Sequence, residues 1–267
     1  MTVPADTGHL QGLGLVKRFG GLAAVNDVTV ETQPGTIAAL IGPNGAGKTT
    51  LFQCLTGIET PDAGKVMLDG VDITKKNSDA RARMGVGRTF QRLAIFESMT
   101  VADNLRVAAE HRGRTSHIRR IGSLLCGLVG ITVGDSRSAE RRVDDMLGLL
   151  GLGSVRDQTA GTLSTGTLRL VELGRALCHD PRVLLLDEPA SGLDTIETQN
   201  LQQVLRQVVA GGIAVLLVEH DVDLVFHLAD QVYAMAEGKV IAVGTPEQIR
   251  TSARVREAYL DVQPAES

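Results

Sequence analysis

The sequence predicts an α/β fold in which buried parallel strands alternate with helices. Uninterrupted apolar runs occur at residues 37–41, 183–186 and 213–218, and such runs are typical of strands that are covered on both faces. Helix starts are indicated at Asp194, which stands three residues before Glu197 in the spacing of a capping box, and at Thr245, which is followed by a proline at the first helical position. This alternation of strands and helices favours a parallel sheet.

Antiparallel strands are expected in the segments before and after these parallel strands in the chain. The valines within 25–30 precede a turn at 33–35 and predict β structure that leads into the first apolar run. A hairpin is predicted over 65–73, where an Asp-Gly pair supplies the turn, and a later one over 231–243. The fold is therefore expected to contain antiparallel β structure beside the parallel sheet.

A helical segment is predicted to be inserted at about residues 92–160. It opens with a capping pattern at Thr100–Asp103 and continues with helical spacing over 139–150. The apolar run at 121–134 is too short to span a bilayer, which needs about 20 apolar residues, so we interpret it as a buried or interfacial helix. The arginines of 112–120 are interpreted as a solvated face, with lipid head groups or an acidic partner surface as the alternatives.

The charge, the cysteines and the N-terminal residues argue against several classes of protein. The chain has 267 residues and a formal net charge of -4, which argues against nucleic acid as the main partner. Its three cysteines lack the spacing of a metal site or a disulfide framework, which fits a reducing compartment. The first residues lack the basic and apolar regions of a secretory signal, so a cytoplasmic location is expected.

The glycine-rich segment that follows the first apolar run is the most informative part of the chain. It has the pattern G-x-x-x-x-G-K-[ST], in which backbone N–H groups surround a triphosphate and Lys48 contacts the β- and γ-phosphates. Thr49 is expected to bind Mg²⁺, and a helix that begins near Lys48 would direct its positive end towards the phosphates. The residues predicted to bind the nucleotide are Gly42, Pro43, Asn44, Gly45, Ala46, Gly47, Lys48, Thr49 and Thr50.

Two carboxylates end the apolar run at 183–186. Asp187 is predicted to bind Mg²⁺, directly or through water, and Glu188 to polarise the water that attacks the γ-phosphate. Taken alone, the pair fits an acidic turn equally well. Together with the phosphate loop it predicts an ATPase that uses ATP and Mg²⁺.

Further segments occur in the order that is found in ABC-transporter ATPases, and the chain resembles this family. Residues 88–91 resemble the Q-loop, 163–167 the signature, 191–194 the D-loop, and 218–221 the segment with the switch histidine, while Lys17-Arg18-Phe19 offers an aromatic where the family stacks adenine. The resemblance implies a P-loop NTPase fold with a RecA-like core, an antiparallel β subdomain and an inserted helical subdomain. The domain would extend over 10–262, with loose termini at 1–9 and 263–267.

The resemblance also implies roles for individual residues. Gln91 would sense Mg²⁺ and the γ-phosphate, Phe19 would stack on adenine with Val25 nearby in the nucleotide site, and His220 would be the switch residue. Glu188, Gln91 and His220 are thus the predicted catalytic residues. The alternatives are ordinary structural roles, namely a core phenylalanine, a surface glutamine and a core histidine.

The signature departs from the family pattern L-S-G-G-Q. Thr165 replaces the first glycine and Thr167 the glutamine, whereas Ser164 and Gly166, the positions expected to meet the γ-phosphate, are retained. Because two subunits of the family meet head to tail, this signature would serve the ATP site of a partner. A second ATPase subunit, identical or distinct, is therefore implied, and the departures favour a distinct one.

A finer resemblance, over about residues 12–260, is to the ATP-binding subunits of branched-chain amino acid importers, the LivG type. It rests on the stretches 19–27, 54–57, 82–91, 244–249 and 258–260. The resemblance implies two separate integral membrane permease subunits and an extracytoplasmic binding protein that delivers the cargo. The chain would lie on the inner face of the membrane, attached through its permease partners.

Other functions are compatible with parts of this pattern. Importers of urea or short-chain amides belong to the same branch. A soluble ABC ATPase that acts on nucleic acid or ribosomes usually has two cassettes or a long coiled-coil insertion, and neither is visible in this sequence. A regulatory nucleotide-binding module without turnover is disfavoured by Glu188.

Overall fold

The computed structural model describes residues 8–89, 93–110 and 138–260. The strands are β1 (Leu10–Phe19), β2 (Leu22–Thr32), β3 (Ile37–Ile41), β4 (Ala63–Leu68), β5 (Val71–Asp72), β6 (Val86–Arg88), β7 (Val183–Asp187), β8 (Ala214–Val218), β9 (Gln231–Ala236) and β10 (Lys239–Gly244). The α-helices are α1 (Lys48–Thr56), α2 (Ser78–Arg83), α3 (Val101–Glu110), α4 (Ser138–Leu149), α5 (Thr165–Cys178), α6 (Thr195–Ala210), α7 (Val222–Leu228), α8 (Pro246–Thr251) and α9 (Ala253–Leu260).

The central sheet has the strand order β10-β9-β3-β8-β7-β6. Its neighbouring strands from β9 to β6 run parallel, and β10 joins the edge through the antiparallel hairpin predicted from the sequence. Every residue of β3, β7 and β8 is buried, which explains why these strands are apolar apart from Asp187 at the end of β7. The prediction of a parallel sheet is confirmed.

A second, antiparallel sheet has the order β2-β1-β4-β5. The predicted hairpin over 65–73 forms the pair β4 and β5, with Leu68 opposite Val71. One apolar cluster joins this sheet to α1 and to one face of the central sheet, and it includes Leu15, Leu51 and Leu216. The antiparallel sheet therefore packs directly on the helix that follows the glycine-rich loop.

Helices cover the opposite face of the central sheet. Thr100 caps α3, because its hydroxyl accepts a hydrogen bond from the Asp103 N–H at 3.0 Å, as the sequence predicts. A Cβ atom on Gly174 of α5 would lie only 2.7 Å from Leu105 and 2.6 Å from Leu150, so this glycine allows α5 to pack closely against the other helices. The predicted apolar run 121–134 and the arginines of 112–120 lie outside the described residues. Within the described ranges, no helix combines the length and apolar character needed to cross a bilayer.

Asp69 links three distant parts of the chain. One oxygen of its carboxylate accepts hydrogen bonds from the N–H groups of Gly8 and His9, each at 2.8 Å. The other oxygen accepts a hydrogen bond from the Arg182 guanidinium at 2.7 Å. We call this arrangement the Asp69 clip. It joins residues preceding β1 and the turn between β4 and β5 to the segment that leads into β7.

Arg81 supports the end of α1 from within the protein. The sequence analysis did not predict α2, yet this short helix carries Arg81, whose side chain is fully buried. Its guanidinium donates hydrogen bonds of 2.6 Å to the carbonyls of Cys54 and Leu55 in the last turn of α1, and further bonds to the carbonyls of Thr74 and Lys76. The last carbonyls of a helix have no N–H partner within that helix, so Arg81 stabilises α1 by binding those of Cys54 and Leu55.

Candidate nucleotide site

Several of the predicted site residues come together at one edge of the central sheet. β3 leads into the glycine-rich loop. β7 ends at Asp187, directly before Glu188, and the adjacent β8 ends two residues before His220. Because these strands are parallel neighbours, their carboxyl ends share an edge, which is where open α/β sheets bind ligands. Gln91 follows β6, which is also parallel to β7, but it lies outside the described residues.

The glycine-rich loop packs closely against neighbouring backbone at both of its ends. Gly42 has φ 153°, and a Cβ atom there would lie 2.3 Å from the carbonyl oxygen of Met235. Gly47 has φ 98°, and its Cβ would lie 2.2 Å from the carbonyl oxygen of Ala24. Neither position can accept a side chain, so these glycines are required by close backbone contacts with β9 and β2. The conformation of the loop is therefore fixed by its packing against the rest of the fold.

Lys48 begins α1, as predicted, and its side chain reaches back across the loop. The ammonium donates hydrogen bonds to the carbonyls of Gly42 at 2.6 Å and Pro43 at 3.0 Å. Burial lowers the pKa of Lys48, and the nearby carboxylates of Glu188 and Asp187 act in the opposite direction. Phosphate oxygens would be stronger acceptors for this ammonium than the two carbonyls, because they are charged.

Asp187 and Glu188 are adjacent carboxylates in a partly desolvated place. Burial raises the pKa of Asp187, the charge of Glu188 raises it further, and Lys48 and Arg169 oppose the rise. A divalent cation would favour the ionised form of Asp187 and offset the like-charge interaction. The carboxylate of Asp187 and the exposed hydroxyl-bearing Thr49 are oxygen donors of the kind that Mg²⁺ prefers, so the residues fit this ion.

Glu188 has an unusual backbone conformation. Its φ is 49°, in the left-handed region, which costs about 1 kcal/mol or more for a residue that is not glycine. The Glu188 N–H donates to the carbonyl of Val218 at 2.9 Å, so the residue remains tied to β8. Its Oε1 lies 3.8 Å from Nδ1 of His220. The two predicted catalytic groups are therefore neighbours at the sheet edge.

His220 is held by an acid that the sequence analysis did not single out. The side chain of His220 is 59% exposed, which excludes the alternative of a core histidine. The preceding Glu219 is buried, and its carboxylate accepts hydrogen bonds from the N–H groups of Ala190 at 3.0 Å and His220 at 3.2 Å. Burial raises the pKa of Glu219. An acidic residue directly after the apolar run of β8 was the sequence signal that could have identified this support.

The two residues predicted near the adenine differ in their accessibility. Phe19 ends β1 with 49% of its surface exposed, and the Lys17 ammonium lies 5.4 Å from the ring centroid. This exposure excludes a core phenylalanine and leaves a ring face on which a base can stack. Val25, in contrast, is fully buried in the apolar core, so its side chain has no surface for a nucleotide. That Val25 belongs to the nucleotide site stays a prediction.

The signature residues stand at the N-terminus of α5. Ser164 is the N-cap, and its hydroxyl oxygen accepts a hydrogen bond from the Thr167 N–H at 3.2 Å. Thr165 begins the helix, and Gly166 is buried in its first turn. The two threonines that depart from the family pattern are therefore accommodated in a regular, capped helix.

Sequence comparison decides the family. A family described as "ABC transporter" matches residues 25–191, which is more than half of the chain and includes the loop, the signature and the carboxylate pair. The chain belongs to the ABC transporter family. A second description, "Branched-chain amino acid ATP-binding cassette transporter", matches residues 239–260, which form β10, α8 and α9.

Curated members of the family are similar to this chain over nearly its whole length. The high-affinity branched-chain amino acid transport ATP-binding protein BraF of Pseudomonas aeruginosa is 40% identical over 254 residues, which cover 94% of this chain and 97% of that protein. The protein LivG of Escherichia coli K12, with the same description, is 40% identical and covers 92% of this chain and 95% of its own length. The resemblance to the LivG type is confirmed.

Solved structures of ABC transporter cassettes have the same fold. A nucleotide-free ATP-binding cassette superimposes with a TM-score of 0.79 at 29% identity, covering 94% of this chain and 98% of the other. The ADP conformation of an ATP-binding cassette gives a TM-score of 0.77 at 30% identity, covering 95% and 98%. The predicted fold class is confirmed, and family membership makes the chain an ABC-type ATPase.

Proposed function

We propose that this chain hydrolyses MgATP to drive a membrane importer of branched-chain amino acids. The observation that carries the proposal is the meeting of Lys48, the pair Asp187 and Glu188, and His220 at one sheet edge. The cargo is inferred from the 40% identity to BraF and LivG and from the match over residues 239–260.

In the proposed site, each residue acts on a different part of ATP. The loop N–H groups and Lys48 bind the β- and γ-phosphates, and Phe19 stacks on the adenine. Thr49 and Asp187 would hold Mg²⁺, which would supply positive charge beside the phosphates. Glu188 polarises the attacking water, which is general-base assistance worth about 10²–10⁴ in rate.

His220 and Gln91 complete the proposed catalytic group around the γ-phosphate. The position of His220, 3.8 Å from the Glu188 carboxylate, allows it to contact the γ-phosphate while Glu188 holds the water. Glu219 supports this arrangement, because its buried carboxylate binds the backbone N–H of His220. The role of Gln91 rests on the family pattern alone.

The proposed partners are a second ATPase subunit and two integral membrane permease subunits. Ser164 and Gly166 would meet the γ-phosphate on the second subunit, and an extracytoplasmic binding protein would deliver the cargo to the permeases. The chain would sit on the inner face of the membrane through the permeases. A urea or amide importer is the alternative from the same branch, and a soluble ABC ATPase for nucleic acid or ribosomes is not favoured by the curated relatives.

Reconstitution tests the proposed cargo. The tagged chain is purified from membranes with the subunits that accompany it, placed in liposomes with MgATP and the binding protein, and supplied with labelled leucine or labelled urea. We expect leucine uptake that depends on ATP and is lost with Glu188→Gln. Uptake of urea without leucine would contradict the cargo, and purification without any membrane subunit would contradict the importer.

The isolated chain should respond to nucleotide but not to cargo. MgATP is expected to raise its melting temperature, because a ligand that binds only the folded state stabilises it, by about 2.7 kcal/mol at a hundredfold excess over Kd. Leucine should leave the melting temperature unchanged, since this subunit does not contact the cargo. Thermal unfolding with each ligand measures both effects, and a clear shift with leucine alone would reveal an amino acid site on this chain.

A further inference from the structure

The signature serine is already engaged within its own subunit. The Ser164 hydroxyl donates a hydrogen bond to the Glu197 carboxylate at 2.8 Å. Its oxygen accepts the hydrogen bond from the Thr167 N–H and lies 3.0 Å from the Thr167 hydroxyl. A serine hydroxyl has one proton to donate. While that proton is directed at Glu197, it cannot be donated to a phosphate.

Glu197 is itself held firmly beside the signature. It is the third residue of α6, and it forms a capping box with Asp194 of the D-loop segment. Its N–H donates to the Asp194 carboxylate at 2.8 Å, and its own carboxylate accepts from the Asp194 N–H at 3.2 Å. One side chain thus connects the D-loop segment to the signature.

The Glu197 carboxylate also covers the other retained signature residue. A Cβ atom on Gly166 would lie 2.1 Å from Cδ of Glu197 and within 2.5 Å of both carboxylate oxygens. A larger residue at this position would have to displace the carboxylate. The anion therefore lies against the first turn of α5, where the positive end of the helix favours negative charge. A γ-phosphate that approaches Ser164 and Gly166 meets a like charge there.

We propose that Glu197 is a positioning residue that controls the signature serine. In the separate subunit its carboxylate holds the Ser164 proton and covers Gly166, and the carboxylate must turn away before these residues can meet the γ-phosphate on a partner subunit. This inference rests on the proposed function, because it requires the signature to serve a partner's ATP. Glu197 acts through Ser164 and does not itself contact the reacting atoms.

Removal of the carboxylate should tighten the ATP-dependent dimer. In a Glu188→Gln background, Glu197→Ala is expected to lower the dimer dissociation constant with MgATP about 5- to 160-fold. The parent must break the Ser164–Glu197 hydrogen bond at each of the two signatures before a homodimer forms. Each bond contributes about 0.5–1.5 kcal/mol net, and the variant does not have this cost. Glu197→Gln, which keeps a neutral acceptor, should give an intermediate value. Sedimentation velocity over a concentration series measures all three proteins.

Two controls separate this effect from a change in helix stability. Gln248→Ala removes the equivalent half of the capping box that Thr245 forms in α8, and it should leave the dimer unchanged. MgADP lacks the γ-phosphate, so Glu197→Ala should cause no tightening with it. In a Ser164→Ala background, Glu197→Ala should have a smaller effect, because there is no hydroxyl to release.

The outcomes distinguish this inference from the proposed function. Binding of a fluorescent ATP analogue is measured first on every variant. If the analogue binds but Glu197→Ala leaves the dimer unchanged or weaker, or if the tightening persists undiminished with Ser164→Ala, the inference is wrong and the proposed function stands. If no variant binds the analogue, both are wrong.

Discussion

Glu188→Gln is expected to abolish ATP turnover while leaving MgATP bound. The amide has the size of the carboxylate but cannot take a proton from the attacking water, and loss of general-base assistance lowers a rate by about 10²–10⁴. Glutamine can also keep the backbone tie to Val218, since that bond uses only the N–H of residue 188. Phosphate release and nucleotide binding, measured on the same preparation with its partner subunits present, test the two parts of this expectation.

The trapped state should be visible as a change in assembly and stability. Because ATP is not consumed, the variant should accumulate as an ATP-bound dimer, whereas the parent returns to the ADP state. Glu219→Gln is a useful comparison, because it alters the neighbouring carboxylate but keeps an acceptor oxygen for the N–H groups of Ala190 and His220. It should retain measurable turnover. Near-normal hydrolysis by Glu188→Gln would contradict the role assigned to Glu188.

Lys48→Ala is expected to remove nearly all affinity for ATP. Two charge-assisted hydrogen bonds to phosphate, at about 1.5–3 kcal/mol each, correspond to a loss of at least about 100-fold in Kd. The fold should persist, because the loop is fixed by the backbone contacts of Gly42 and Gly47 and the far end of α1 is bound by Arg81. Titration with a fluorescent ATP analogue measures the affinity, and thermal unfolding without nucleotide checks the fold.

A matched lysine provides the control for this experiment. Lys65 is exposed on β4, which belongs to the antiparallel sheet and not to the central sheet that carries the site. Lys65→Ala therefore removes the same charge without touching the proposed phosphate contacts, and its ATP affinity should equal that of the parent. Equal affinity in Lys48→Ala would refute the assignment of the glycine-rich loop.

The elements that could be predicted from sequence are those whose signal is local. β3, β7 and β8 are buried on both faces, so each consists of an apolar run, which in β7 ends at Asp187, and each was recognisable without knowledge of its neighbours. The cap at Asp194 was recognisable because a capping box joins residues only three positions apart. The start of α8 was recognisable because Pro246 stands at its first position. The domain bounds 10–262 and the insert bounds 92–160 stay predictions.

Features that depend on contacts between residues far apart in the sequence could not be predicted in the same way. The sequence does not indicate that β8 lies between β3 and β7, although this order brings His220 beside Glu188. α2 has six residues, too few for a helical period, and its role depends on where Arg81 is buried. Glu197 was recognisable as a capping residue, but its bond to Ser164 joins residues 33 positions apart.

The Asp69 clip has a consequence for how the protein is made. It connects residues 61 and 113 positions apart, so it cannot close until the segment at Arg182 has left the ribosome. Contacts between distant parts of a chain form late, because ordering the intervening loop opposes them. We expect nascent chains that end before Arg182 to hold the antiparallel sheet without its anchor, with apolar surface open to chaperones or to other unfinished chains.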